Sequence, residues 1–135
     1  MILTGGCACG AVRFQADGDL HRAGICHCMT CRKVSGSAFN AFVVYPRSAV
    51  RIGGETTAFH SSETGRRHFC PRCGAHVFAL YDGEEEIELH VGSFDEPNRF
   101  RPTYEAHVGR REDWLPALEG LPQFDGNREE GGQAG

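Results

Sequence analysis

Cys26-His27-Cys28-Met29-Thr30-Cys31, set between Gly6-Cys7-Ala8-Cys9-Gly10 upstream and Cys70-Pro71-Arg72-Cys73-Gly74 downstream, decides how this chain folds. Seven cysteines fall into these three groups and nowhere else. Each short spacing brings two sulfurs within reach of one ion, and the neighbouring glycines let the backbone bend around it. Zinc suits such thiolates and imposes a tetrahedral site without redox chemistry. A closed structural site needs four thiolates, which Cys7, Cys9, Cys70 and Cys73 supply as two pincers. Three cysteines remain, the ligand number of an open catalytic site. Cys26, Cys28 and Cys31 can wrap an ion locally. The four-cysteine site would close a loop of about sixty residues, and clips on long loops contribute most to a thin core.

The core is indeed thin. Leu, Ile, Val and Phe make up about a fifth of the 135 residues, near the lower bound for globular chains. The length fits one domain, expected over residues 1–125. Residues 126–135 carry almost nothing apolar and are expected to form a disordered tail. The net charge of −4 argues against a nucleic-acid partner, which calls for a basic face. The neighbours Arg66 and Arg67, like Arg110 and Arg111, read as solvated surface. No apolar run is long enough to span a bilayer, and no secretory signal opens the sequence. The expected location is a reducing cytoplasm, where clustered cysteines bind metal or catalyse. An odd count of thiols agrees, since seven cannot all pair within one chain.

Eighteen Gly and six Pro favour many turns. Strand patterns appear at Val12, Phe14 and Ala16, at Phe39 to Tyr45, at Val77 to Tyr81, and at Ile87, Leu89 and Val91. Asp17-Gly18, Gly53-Gly54, Asp82-Gly83 and Glu96-Pro97-Asn98 punctuate them. No window sustains a 3.6-residue period, so the domain is expected to be mainly β. One helical turn is expected at Met29 to Val34 and a second short turn at Asp113 to Pro116. Trp114, the single tryptophan, is expected to anchor the core.

The three-cysteine set leaves alternatives open. His27 or another histidine would close it, Cys28 and Cys31 would act as a redox pair, or its sulfurs would be shared with the other pincers. A thioredoxin-like reading lacks the βαβ pattern around the Cys-x-x-Cys.

Taken in order, Gly6 to Phe14, Cys26 to Arg32 and Phe69 to Gly74 resemble the glutathione-dependent formaldehyde-activating enzyme family, which also includes centromere protein V-like proteins. The likeness extends from Ile2 to Phe124. It implies a β-tent, in which short coiled antiparallel sheets are stapled by zinc. It further implies two Zn2+ per chain, a structural ion on Cys7, Cys9, Cys70 and Cys73 and a catalytic one on Cys26, Cys28 and Cys31. The activity it implies joins formaldehyde to glutathione as S-hydroxymethylglutathione, formally a carbon–sulfur lyase reaction.

In such a mechanism a metal-held thiolate is nucleophilic at neutral pH, where a free thiol is mostly protonated. The developing alkoxide needs a proton donor, for which His27 is the candidate. Arg32 and Lys33 follow the motif and are candidates for meeting a substrate carboxylate. His68 and His76 flank the second pincer and are expected to support ligands or face solvent. Phe39 and Phe42 are expected to pack in the core. A small thiol, with glutathione the candidate, is therefore the expected partner. A non-catalytic zinc-stapled binding module and a thiol or metal sensor are the competing classes. Neither substrate recognition nor oligomeric state is written in any motif.

Overall fold

Alternating burial builds the strands of this chain. In the computed structural model, residues 1–128 are described. In chain order they form β1 (Ile2–Gly6), β2 (Arg13–Asp17), β3 (Arg22–Cys26), α1 (Met29–Ser35), β4 (Asn40–Pro46), β5 (Val50–Gly53), β6 (Thr57–His60), β7 (Gly65–Phe69), β8 (His76–Tyr81), β9 (Glu86–His90) and β10 (Glu105–Ala106). The expected mainly β class is what the structure shows. A three-stranded sheet runs β1-β2-β5, and a seven-stranded sheet runs β10-β3-β4-β9-β8-β7-β6. All pairings are antiparallel except β10 beside β3, which is parallel.

β4 explains how the interior divides. Side chains alternate across a strand. Val43 and Tyr45 enter the main core, where Val12, Phe14 and Ala16 from the small sheet meet Val77, Ile87 and Leu89 from the large one. Phe42 and Val44 point the other way, into a second cluster that contains Cys26, Cys31, Tyr104 and Ala106. Two of the motif cysteines are thus core residues, and both are fully buried.

The patterned strands around Phe14, Val43, Phe78 and Leu89 appear where the alternation places them. The helical turn extends to Ser35, and Gly36 ends it in the left-handed region at φ 66°, where its N–H donates to the Arg32 carbonyl. Phe42 packs as expected, and Phe39 is half-buried.

Two expectations fail. Trp114 is 71% exposed rather than a core anchor. Its segment lies outside both apolar clusters, and its indole N–H donates to nearby Glu112. Arg67 is buried rather than solvated, because β7 alternates and turns Gly65 and Arg67 inward. Its neighbour Arg66 points outward and pairs with Asp82.

Of the expected tail, Gly126 to Arg128 are held against the body. The Gly126 carbonyl accepts from the His107 N–H, and Arg128 lies over the Tyr104 ring. Residues 129–135 lie outside the described residues. Among the described residues no helix is long and apolar enough to cross a membrane.

Candidate metal centres

The loop between β1 and β2 folds back tightly, with the Cys7 N–H donating to the Val12 carbonyl. Cys7 Sγ in turn accepts from the Val12 N–H at 3.2 Å. The loop between β7 and β8 does the same. Its Cys70 carbonyl accepts from the Gly74 N–H, and Cys70 Sγ accepts from the Arg72 N–H at 3.3 Å. These turns bring Cys7, Cys9, Cys70 and Cys73 into one cluster, although Cys9 and Cys70 stand 61 positions apart. Cys7 and Cys9 sulfurs are 3.7 Å apart, and Cys9 and Cys70 sulfurs 3.8 Å. A tetrahedron of sulfurs about 2.3 Å from a zinc ion has edges of about 3.8 Å. The donor set and its spacing therefore fit a tetrahedral thiophilic ion. The backbone N–H of Val12 leads the forces on the Cys7 thiol, outweighs its desolvation, and lowers it to about 6.

The second cluster comprises Cys26, Cys28 and Cys31. Cys26 ends β3, Cys28 caps α1, and Cys31 lies in the first turn of α1. The cap is direct, since Cys28 Sγ accepts from the Cys31 N–H at 3.3 Å. The three sulfurs lie within 4.8 Å of one another, and no fourth Cys, His, Asp or Glu donor joins them among the described residues. This geometry fits a metal with one open position. Only Cys28 of the three reaches the surface. Contacts from Cys26 and Cys31 hold the Cys28 thiol far below an ordinary thiol and outweigh its desolvation, while the same contacts push Cys26 up. The three thiols share their protons as one set, and the contacts favour negative charge on Cys28.

His27 lies between two of these cysteines but is not one of the clustered donors. Its ring is 1% exposed, and Nε2 donates to Glu105 Oε1 at 2.7 Å. Burial favours protonation of Glu105. Donors from Gln123, His27, the Leu118 N–H and Arg111 overcome it and lower the carboxyl to about 2. An ionised carboxylate only accepts, so the proton of His27 sits on Nε2. Nδ1 is left buried without a hydrogen-bond partner. Arg32 is held by the Arg110 carbonyl and by an ion pair with Glu112, and Lys33 is exposed on the same helix.

His68 stacks on Phe78 and bonds Thr56, and His76 stacks on Phe69. Both are lowered chiefly by burial. Three polar residues around the triad carry no signal in the sequence. Glu105 sits in a two-residue strand without a motif. Arg67 is an ordinary charge until β7 is paired on both sides. Glu88 is one of a run of acidic residues, yet it is buried. Desolvation leads its shift and pushes it up to about 7.

A sequence profile of the family described as glutathione-dependent formaldehyde-activating enzyme matches residues 2–110. A putative glutathione-dependent formaldehyde-activating enzyme of Halomonas elongata is 28% identical, over 85% of this chain and 80% of its own length. An uncharacterized lyase of Schizosaccharomyces pombe is 31% identical over 57% of this chain. A further protein of the first description, from Penicillium rubens, is 27% identical over 76% of it. The match spans 56% of the yeast protein and 57% of the Penicillium one. A crystal structure of a Rhodobacter sphaeroides protein superposes with a TM-score of 0.60 and 22% identity, covering 72% of this chain and 92% of that one. That likeness concerns the fold.

Proposed function

The chain belongs to the glutathione-dependent formaldehyde-activating enzyme family, and from that premise we propose that it joins a small thiol to formaldehyde, or releases the two again, at the three-cysteine cluster. The observation that carries this reading is a set of three clustered sulfurs with no fourth protein donor among the described residues and one sulfur at the surface. In this reading each chain takes two zinc ions, one in each cluster. When bound at the triad, zinc supplies an open position where a thiol gives up its proton near neutral pH.

The reaction balances simply. The thiol sulfur forms a bond to the formaldehyde carbon, the carbonyl π bond opens, and its oxygen takes the proton that the thiol lost. His27 is proposed to carry that proton. Glu105 fixes its tautomer and leaves the Nδ1 lone pair free to receive it. Arg32 and Lys33 supply positive charge toward a substrate carboxylate. Lys33 does so from its exposed position, Arg32 from its seat between Arg110 and Glu112. Glutathione is the proposed thiol, and the reducing cytoplasm the proposed setting. Residues 1–125 act as one zinc-binding unit.

Metal content and thiol–formaldehyde exchange test this together. The folded chain should hold two zinc ions and accelerate formation of the hydroxymethyl adduct, followed by NMR. Cys28→Ser should lose one ion and the acceleration while remaining folded. One ion in the unaltered protein, or full activity in the Cys28 variant, would sink the proposal.

A further inference from the structure

Arg67 reaches the triad from a different sheet strand. It is 4% exposed, and no other arginine among the described residues is buried so deeply. Its Nη1 and Nη2 both donate to Cys31 Sγ, each at 3.8 Å. Cys31 is itself fully buried. A guanidinium keeps its charge in any protein setting, and burying a charge is costly unless a partner offsets it. Glu88 and Tyr81 also face this guanidinium and feel its charge. Burial raises the Glu88 carboxyl to about 7, so near neutrality it is only a partial counter-ion.

The geometry points to Arg67 as the counter-charge of the three-cysteine site. Three thiolates around a divalent ion carry one net negative charge, and a fork of two N–H donors on one of those sulfurs brings the assembly to neutrality. The consequence is chemical. Three unscreened thiolates make a metal a poor acceptor of a further anion. Withdrawing charge from Cys31 restores its capacity to take a fourth, anionic sulfur ligand. Donors to ligating atoms typically change metal affinity by about 10- to 100-fold. The four-cysteine site has its own donors, the Val12 and Arg72 N–H groups, so it serves as an internal control. This inference rests on the proposed function and makes Arg67 a positioning residue for it.

The test follows metal release from the full chain to a competing chelator, resolving the two ions. A parallel measurement follows the sulfur-to-cobalt absorption of the cobalt-loaded protein as 2-mercaptoethanol is added. Arg67→Met alone would remove the leading positive charge facing buried Glu88, so it is combined with Glu88→Gln, which removes that carboxylate as well. The double variant should bind metal at the triad at least about tenfold more weakly and take up the added thiol more weakly. The other site should be unchanged. Glu88→Gln alone should behave as the unaltered protein, and Arg67→Lys should recover most of the loss because it restores the charge. Equal weakening at both sites, no weakening, or a lysine variant as weak as the double variant would overturn the inference alone. An unaltered protein that holds metal only on the four cysteines would overturn the inference and the functional reading together.

Discussion

At the scale of single residues, Glu105 shows how one carboxylate organises a site without touching a metal ligand. It receives His27, Gln123 and the Leu118 N–H, and Arg111 approaches it at 3.3 Å. Glu105→Gln removes the charge that these donors share and should cost about 2 kcal/mol at neutral pH, read from chemical denaturation. The pH dependence has a definite sign. The folded carboxyl lies at about 2, below its ordinary 4.5. Its contribution is therefore complete above about pH 4.5 and fades as the pH falls toward 2. The stability gap between the unaltered protein and the variant should close across that window. A gap that stays constant would show that Glu105 acts through shape rather than charge. His27 was visible in the sequence because it sits inside the cysteine motif. Its partner was not, because a glutamate 78 positions away has no local signature.

At the scale of elements, α1 carries the triad and is only seven residues long. Isolated helices of that length do not persist in water. This one is held by its ends. Cys28 caps the first turn, Ser35 bonds back to the Cys31 carbonyl at 2.7 Å, and Gly36 takes the left-handed conformation. A Cβ at Gly36 would meet nothing within 4 Å, so the cost of Gly36→Ala is purely conformational. It should be about 1 kcal/mol, seen as a lower denaturation midpoint with metal content unchanged. Loss of the triad metal in that variant would show that the helix end sets the sulfur geometry directly. The sequence announced this helix through its breaker, Ser35-Gly36. It announced β2, β4, β8 and β9 through apolar alternation. It did not announce β6, whose residues are all exposed, or β7, whose inward positions are a glycine and an arginine. Such strands exist because their neighbours offer hydrogen bonds, which a hydrophobic pattern cannot report.

At the scale of the whole molecule, the four-cysteine cluster ties the small sheet to the far side of the large one. Cys7 and Cys9 follow β1, and Cys70 and Cys73 follow β7, so one ion would restrain both sheets at once. Edge-to-face contacts among Phe14, Phe94 and Phe100 support the same junction, with centroids 5.0 and 4.7 Å apart. That apolar contact alone is small for a chain so poor in large aliphatic residues. Cys70→Ser should therefore unfold the protein, or lower its melting temperature far more than Cys28→Ser does, by circular dichroism. Chelation strong enough to strip both ions should reproduce the Cys70 result. A Cys70 variant with the stability of the unaltered chain would refute the clip.

The sequence by itself determined the grouping of the seven thiols, the mainly β class and the family. Those depend on short spacings and period-two alternation, which are local properties of a chain. Tertiary structure alone decided the charges around the triad. Arg67, Glu88 and Glu105 look like surface residues until strand pairing buries them, and burial is what makes their charge consequential. It also decided against Trp114, whose size predicted a core position but which stands exposed outside both apolar clusters, because its segment packs against neither.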